Sequence, residues 1–162
     1  MLLVRRLVAG DLDIFREIRL RALMDTPENY GSIAEAERAQ SDEEWLARLA
    51  GDAWFAAFDD GRPVGLVAGR ARDGSWILYS MWVAPEARGR GLGTKLMGEV
   101  RSAAEADGAR EVWLHVAEDN DRARRLYLKL GFIASGDLEP MPNDVTRRRE
   151  RLYSPVTGGS GK

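Results

Sequence analysis

A mixed α/β domain is the fold class that the sequence predicts, and three observations carry it. Strand-like and helix-like stretches alternate in the order β-α-α-β-β-β-α-β-α-β-β, which fits neither an all-helical nor an all-strand architecture. The apolar spacing switches from helical to alternating at Ala53 and back to helical at Leu92. With 162 residues, 44% hydrophobic residues and five Trp, the chain has material for one core of ordinary size and carries no internal repeat. We expect a single domain over residues 1–155 and a flexible, glycine-rich tail over 156–162.

The elements follow in order. Residues 2–8, LLVRRLV, read as a strand, and Asp11 as the cap of a helix that places Leu12, Phe15, Ile18, Leu20 and Leu23 near one face. DTPENYGSIAEAERAQ holds Pro27 and Gly31 without a clean period, so it reads as a loop or a short helix. SDEE at Ser41 matches a capping box and starts a helix that turns Trp45, Leu46 and Leu49 inward. AWFAAF, PVGLVAGRA and SWILYSMWV are then three strands separated by the turns DDGR and RDG. A helix of about four turns follows, with Leu92, Leu96, Met97, Val100 and Ala103 on one face, and ends at ADG. REVWLHV is a strand, DNDRARRLYLKLG a helix closed by Gly131, and FIAS and TRRRERLYS are the last strands.

Composition excludes several kinds of chemistry. The chain has no cysteine, so disulfides, thiolate metal sites and a cysteine nucleophile are ruled out, and a single histidine rules out a histidine-clustered zinc site. No metal is expected. A formal charge of −2 argues against a general nucleic-acid binder. The run TRRRER raises an RNA or acidic-ligand patch, but strand alternation puts at least half of its charges on an exposed face. No stretch is long and apolar enough for a signal peptide or a membrane span, so a cytoplasmic protein without a membrane partner is expected.

The stretch PEARGRGLGTKL, Pro85 to Leu96, is the first that points to a ligand. Glycines at 89, 91 and 93 stand where a strand turns into a helix. The unpaired N–H groups of that helix's first turn converge there, the helix dipole adds positive charge, and Arg88, Arg90 and Lys95 add full charges. An anion such as a phosphate suits this arrangement; a plain surface turn is the alternative. The Walker pattern fails, because Thr94 stands where its second glycine belongs. The dinucleotide pattern G-x-G-x-x-G fails too, since Gly89 and Gly91 are followed by Thr94, and Gly91 and Gly93 by Leu96.

Arg88-Gly89-Arg90-Gly91-Leu92-Gly93 does have the Q/R-x-x-G-x-G/A spacing of the GNAT superfamily of N-acetyltransferases, and MWVAPEA before it resembles that family's lead-in. VAEDNDRARRLYLKLGF is similar to the family's second pattern at Asn120, Ala123, Leu126, Tyr127, Gly131 and Phe132. The resemblance implies a mixed, mostly antiparallel sheet of six to seven strands, splayed between the fourth and fifth and flanked by about four helices. It implies acetyl-CoA as the acetyl donor. The pyrophosphate would lie on Arg88, Gly89, Arg90, Gly91, Leu92, Gly93 and Thr94, and the pantetheine against Met81, Trp82 and Val83, with contacts from Asn120 and Tyr127. It further implies direct transfer to the amine of a small molecule or peptide and leaves room for a homodimer. An acetyl-CoA-binding module without turnover is the alternative.

Direct transfer needs a neutral amine, a donor for the carbonyl oxygen and a proton for the departing thiolate. A lysine-like amine with pKa about 10.4 is only about one part in a thousand neutral at pH 7, so a base helps. Tyr127 matches the family's usual general acid, although its helical stripe with Ala123 and Leu130 also suits a core residue. His115 stands where some family members, the ribosomal-protein acetyltransferases among them, carry a glutamate base; a structural histidine and a water chain from Ser80, Tyr79 or Glu118 are the alternatives. The acceptor is expected over the 24–40 loop, the fourth strand and the strand near 147–153, where Glu28, Tyr30, Glu35 and Glu37 could attract a cationic amine.

Overall fold

A computed structural model describes residues 1–25, 34–142 and 144–156. Glu28, Tyr30 and the expected tail beyond Val156 lie outside the described residues. The elements are β1 (Leu2–Arg6), α1 (Leu12–Asp25), α2 (Ala34–Arg38), α3 (Asp42–Gly51), β2 (Ala53–Asp59), β3 (Arg62–Arg72), β4 (Ser75–Val83), α4 (Leu92–Ala106), β5 (Glu111–Ala117), α5 (Asp121–Lys129), β6 (Ile133–Met141) and β7 (Asp144–Pro155). The seven strands form one mixed sheet in the order β1-β2-β3-β4-β5-β7-β6. β1–β2, β2–β3, β5–β7 and β6–β7 pair antiparallel. β4 and β5 pair parallel at Trp76↔Val112 and Ile77↔Trp113 and splay beyond. The short α2, in the stretch read as loop or short helix, makes the described helices five.

The chain divides into two compact units, Met1–Arg70 with Ser80–Val100, and Ala71–Tyr79 with the chain from Arg101 onward. β3, β4 and α4 contribute residues to both.

In the first unit, α1 and α3 bury Phe15, Ile18, Leu23 and Trp45, and β2 buries Trp54. Phe15 is the hinge of this core, its ring 5.5 Å from Trp45 edge-on and 4.6 Å from Trp54. Ser41 caps α3 as expected: its Oγ accepts from Glu44 N at 3.2 Å, and the Glu44 carboxylate accepts from Ser41 N at 2.9 Å. Asp11 differs from its expected role. It lies in a 3-10 turn and accepts from Val8 N and Arg5, so it ties β1 to that turn instead of capping α1. Gly65 decides how closely α4 can lie on β3, because a Cβ there would come within 3.1 Å of both Leu96 and Ala57.

In the second unit, Val112, Leu114 and Val116 of β5 and Leu152 of β7 bury one sheet face. Paired antiparallel residues share a face, so Ser154 and Glu150, opposite Val112 and Val116, lie on it as well. Arg101 of α4 donates to the Ser154 hydroxyl and Arg124 of α5 pairs with Glu150, so both helices cover this face. Glu111, Trp113 and His115 alternate to the other.

Candidate functional site

The turn after β4 holds the glycines and the helix start singled out in the sequence. The chain leaves Val83, makes a 3-10 turn at Pro85–Ala87 and reaches α4 through Arg88 to Gly91. Gly89 and Gly91 have φ of 79° and 80°, where a side chain would cost about 1–2 kcal/mol. Nothing lies within 4 Å of the Cβ position at either glycine, so the space over the turn is open to a ligand. The first-turn N–H groups of Leu92, Gly93 and Thr94 have no partner inside the helix, and no acidic side chain stands in that turn to compete for them. These residues fit a pyrophosphate.

The charges around the turn are shared out differently from their sequence reading. Arg88 donates from Nε to Val83 O and from its terminal nitrogen to Asp25 Oδ2, both at 2.9 Å, and Trp82 Nε1 donates to the same carboxylate oxygen at 2.9 Å. Arg90 pairs with Asp59 at 2.7 Å, and this hydrogen bond holds the Asp59 carboxyl below the usual carboxylate range. Both arginines therefore brace the turn. Lys95 is exposed and, among the described residues, has no carboxylate partner, so it is the cation left for a ligand.

Behind this turn, Trp82 is buried while Met81 and Val83 are half-buried, and Ser80 has a left-handed φ of 57° in the middle of β4. Arg19 holds the Ser80 hydroxyl at 3.0 Å and binds the Glu37 carboxylate with two nitrogens at 3.0 and 3.2 Å. Arg48 adds a third contact to Glu37 at 2.8 Å. Burial raises the Glu37 pKa, but Arg19 and then Arg48 outweigh it and leave the carboxyl below its usual value. Glu37 is thus an internal counter-ion rather than an attractor of a cationic amine, while Glu35 remains exposed. Arg19 was missed from the sequence, though it stands four residues from both Phe15 and Leu23, on the apolar stripe of α1.

In the second unit, Asn120 caps α5 by accepting from Ala123 N at 3.2 Å, which leaves its amide NH2 for other contacts. Tyr127 is buried on the helix-covered side, its ring 5.7 Å from Phe132 and inclined at 68°. His115 lies on the opposite face of β5, edge-on to Trp113 at 5.2 Å and 3.2 Å from Glu139 Oε1 through Nε2. Burial and the Arg149 and Arg151 charges lower its pKa, Glu139 opposes them, and the net value is below 6.5. The ring is therefore neutral at pH 7. Because a carboxylate only accepts, Nε2 carries the proton toward Glu139 and Nδ1 keeps its lone pair.

A groove of about 540 Å³ opens on this face around Trp113 and His115. The basic run of β7 is largely compensated: Arg147 pairs with Asp119, Arg148 with Glu118, Arg149 with Glu139 and Arg151 with Glu111. No described helix is long and apolar enough to cross a membrane.

The profile of the acetyltransferase (GNAT) family matches residues 16–132. An uncharacterized N-acetyltransferase of Methanocaldococcus jannaschii is 31% identical over 139 residues, covering 80% of this chain and 59% of that protein. The chain spans about half the length of other curated relatives, such as an uncharacterized N-acetyltransferase of Mycobacterium bovis at 53%. Among solved structures, a GNAT acetyltransferase of Streptococcus pneumoniae superposes with a TM-score of 0.78 at 20% identity, over 96% of this chain and 99% of that one. An acetyltransferase of Salmonella typhimurium, solved with acetyl-CoA, gives 0.77 at 19% identity over 100% and 98%. At these identities the likeness speaks for the fold.

Proposed function

We propose that this chain, which belongs to the acetyltransferase (GNAT) family, moves acetyl from acetyl-CoA directly to a primary amine of a small molecule or peptide. The observation that carries this reading is the open turn at Gly89 and Gly91 leading into the unpaired amides of α4. Those amides and Lys95 hold the pyrophosphate, the backbone of Met81 to Val83 meets the pantetheine and the carbonyl oxygen, and Asn120 adds a polar contact. Bound acetyl-CoA supplies an activated thioester, so no covalent acetyl-protein stage is needed in a chain without cysteine.

His115 Nδ1 takes a proton from the acceptor ammonium. The freed nitrogen forms the new C–N bond as the C–S bond breaks, Tyr127 passes its hydroxyl proton to the departing sulfur, and the new amide nitrogen sheds its surplus proton to water. Both side chains return to their starting states by exchange with water.

An amine and peptide panel scored by free-thiol release tests the reading. Tight acetyl-CoA binding with no amine-dependent thiol would leave only a binding module. The pH profile tests the base. The acid limb of kcat/KM is expected below 6.5, because the imidazole serves only when neutral and activity falls as pH drops through its lowered pKa. His115→Ala should cost about 10²-fold near pH 7, and the deficit should narrow toward the amine's own pKa of about 10. A variant with the wild-type profile would remove His115 from this role.

A further inference from the structure

The groove around His115 lies wholly within the second unit and has a charge pattern of its own. Arg72, Arg110, Arg149 and Arg151 line it, from β3, the turn before β5, and β7. Arg149 and Arg151 are shared with carboxylates, and Arg151 also covers the Trp113 ring at 4.0 Å, which fixes its guanidinium in place. Arg110 donates only to the backbone carbonyl of Asp73, at 3.2 Å, and among the described residues neither it nor Arg72 has a carboxylate partner. Two guanidinium groups without a carboxylate partner among the described residues therefore line the same groove as His115.

We infer that this groove is the acceptor site and that its acceptor is a small zwitterion, an amine that also carries a carboxylate. Guanidinium groups bind carboxylates through paired, charge-assisted hydrogen bonds, and that is the ligand chemistry Arg72 and Arg110 offer. Asp73 and Glu111 also line the groove, and they decide between anions. They disfavour a doubly charged phosphate and complement an ammonium, as an amino-acid-like ligand requires. The inference rests on the transferase reading for its meaning as an acceptor site, but the binding itself can be measured separately.

The first arm compares wild-type thiol release with amino acids and with their primary amides. Amino acids are expected to exceed the amides in kcat/KM by about tenfold or more, the scale of one charge-assisted hydrogen bond. The second arm needs no turnover. N-acetylglycine, N-acetylleucine and N-acetylphenylalanine, and the amide of each, are titrated while the imidazole resonances of His115, the single histidine, are followed by NMR. At least one acid should shift them saturably and its amide should not; in R72Q/R110Q both the shift and the acid-to-amide rate ratio should collapse. Equal transfer to acids and amides, or no His115 response to any acid, overturns the inference. A response to an acid with no thiol release from any amine supports the site and sinks the transferase reading.

Discussion

Replacing Tyr127 with phenylalanine is expected to lower turnover by about 10²-fold and to leave acetyl-CoA affinity within a factor of about two. The ring is buried and packs on Phe132, so phenylalanine keeps that contact and removes only the hydroxyl. The size of the effect follows from two acidities. A phenol has a pKa of about 10 and a thiol one of about 8.5, so handing the proton to sulfur is uphill by about 2 kcal/mol. A donor so placed belongs at the low end of the range for general acids. The same argument gives the pH dependence. Above about pH 8.5 a thiolate needs no proton to persist, so the Tyr127→Phe deficit should narrow there. Steady-state thiol release from pH 6 to 9, with acetyl-CoA binding followed by calorimetry, checks both statements. Unchanged turnover at pH 7 would make Tyr127 a core residue.

The parts of this molecule that could be read from its sequence are those set by local spacing. The turn from β4 into α4 is one, because Gly89 and Gly91 advertise the left-handed backbone they adopt. The alternation of WLHV is another, since it turns His115 away from Leu114 and Val116 without any knowledge of partners. What escaped depends on residues far apart in the chain. Arg88 and Arg90 looked like free charges because Asp25 and Asp59, which engage them, lie 63 and 31 residues away. Glu37 reads as an attractor for a cationic amine until α2 packs it against Arg19 and Arg48. Arg72 and Arg110 stand on different sides of β4 and α4 in the chain, so their lining of the same groove as His115 has no linear signature.

Arg19→Met is expected to be among the most destabilising single substitutions, at about 3–5 kcal/mol, since it removes one partner of a buried ion pair. The Arg19 side chain is 6% exposed and that of Glu37 11%, so water cannot replace the lost guanidinium. Arg48 keeps a single contact to the carboxylate. Ser80 would also lose its hold on Arg19 while keeping the costly left-handed φ, so the backbone of β4 should relax at Ser80 and acetyl-CoA affinity should fall with stability. The sign of the pH dependence is set by Glu37, whose pKa is lowered in the folded state. Its contribution is present above the unfolded carboxyl value of about 4.3 and is lost as pH falls through the folded value. The deficit of Arg19→Met should therefore be largest at neutral pH and shrink in acid, where the orphaned carboxyl is protonated and no longer needs a cation. Urea unfolding at pH 7 and pH 4 measures this directly. Arg19→Met combined with Glu37→Leu should recover part of the loss at pH 7, because an apolar pair replaces an unpaired buried charge. A double variant no more stable than Arg19→Met alone would mean that the arginine acts through Ser80 and its packing rather than through the ion pair.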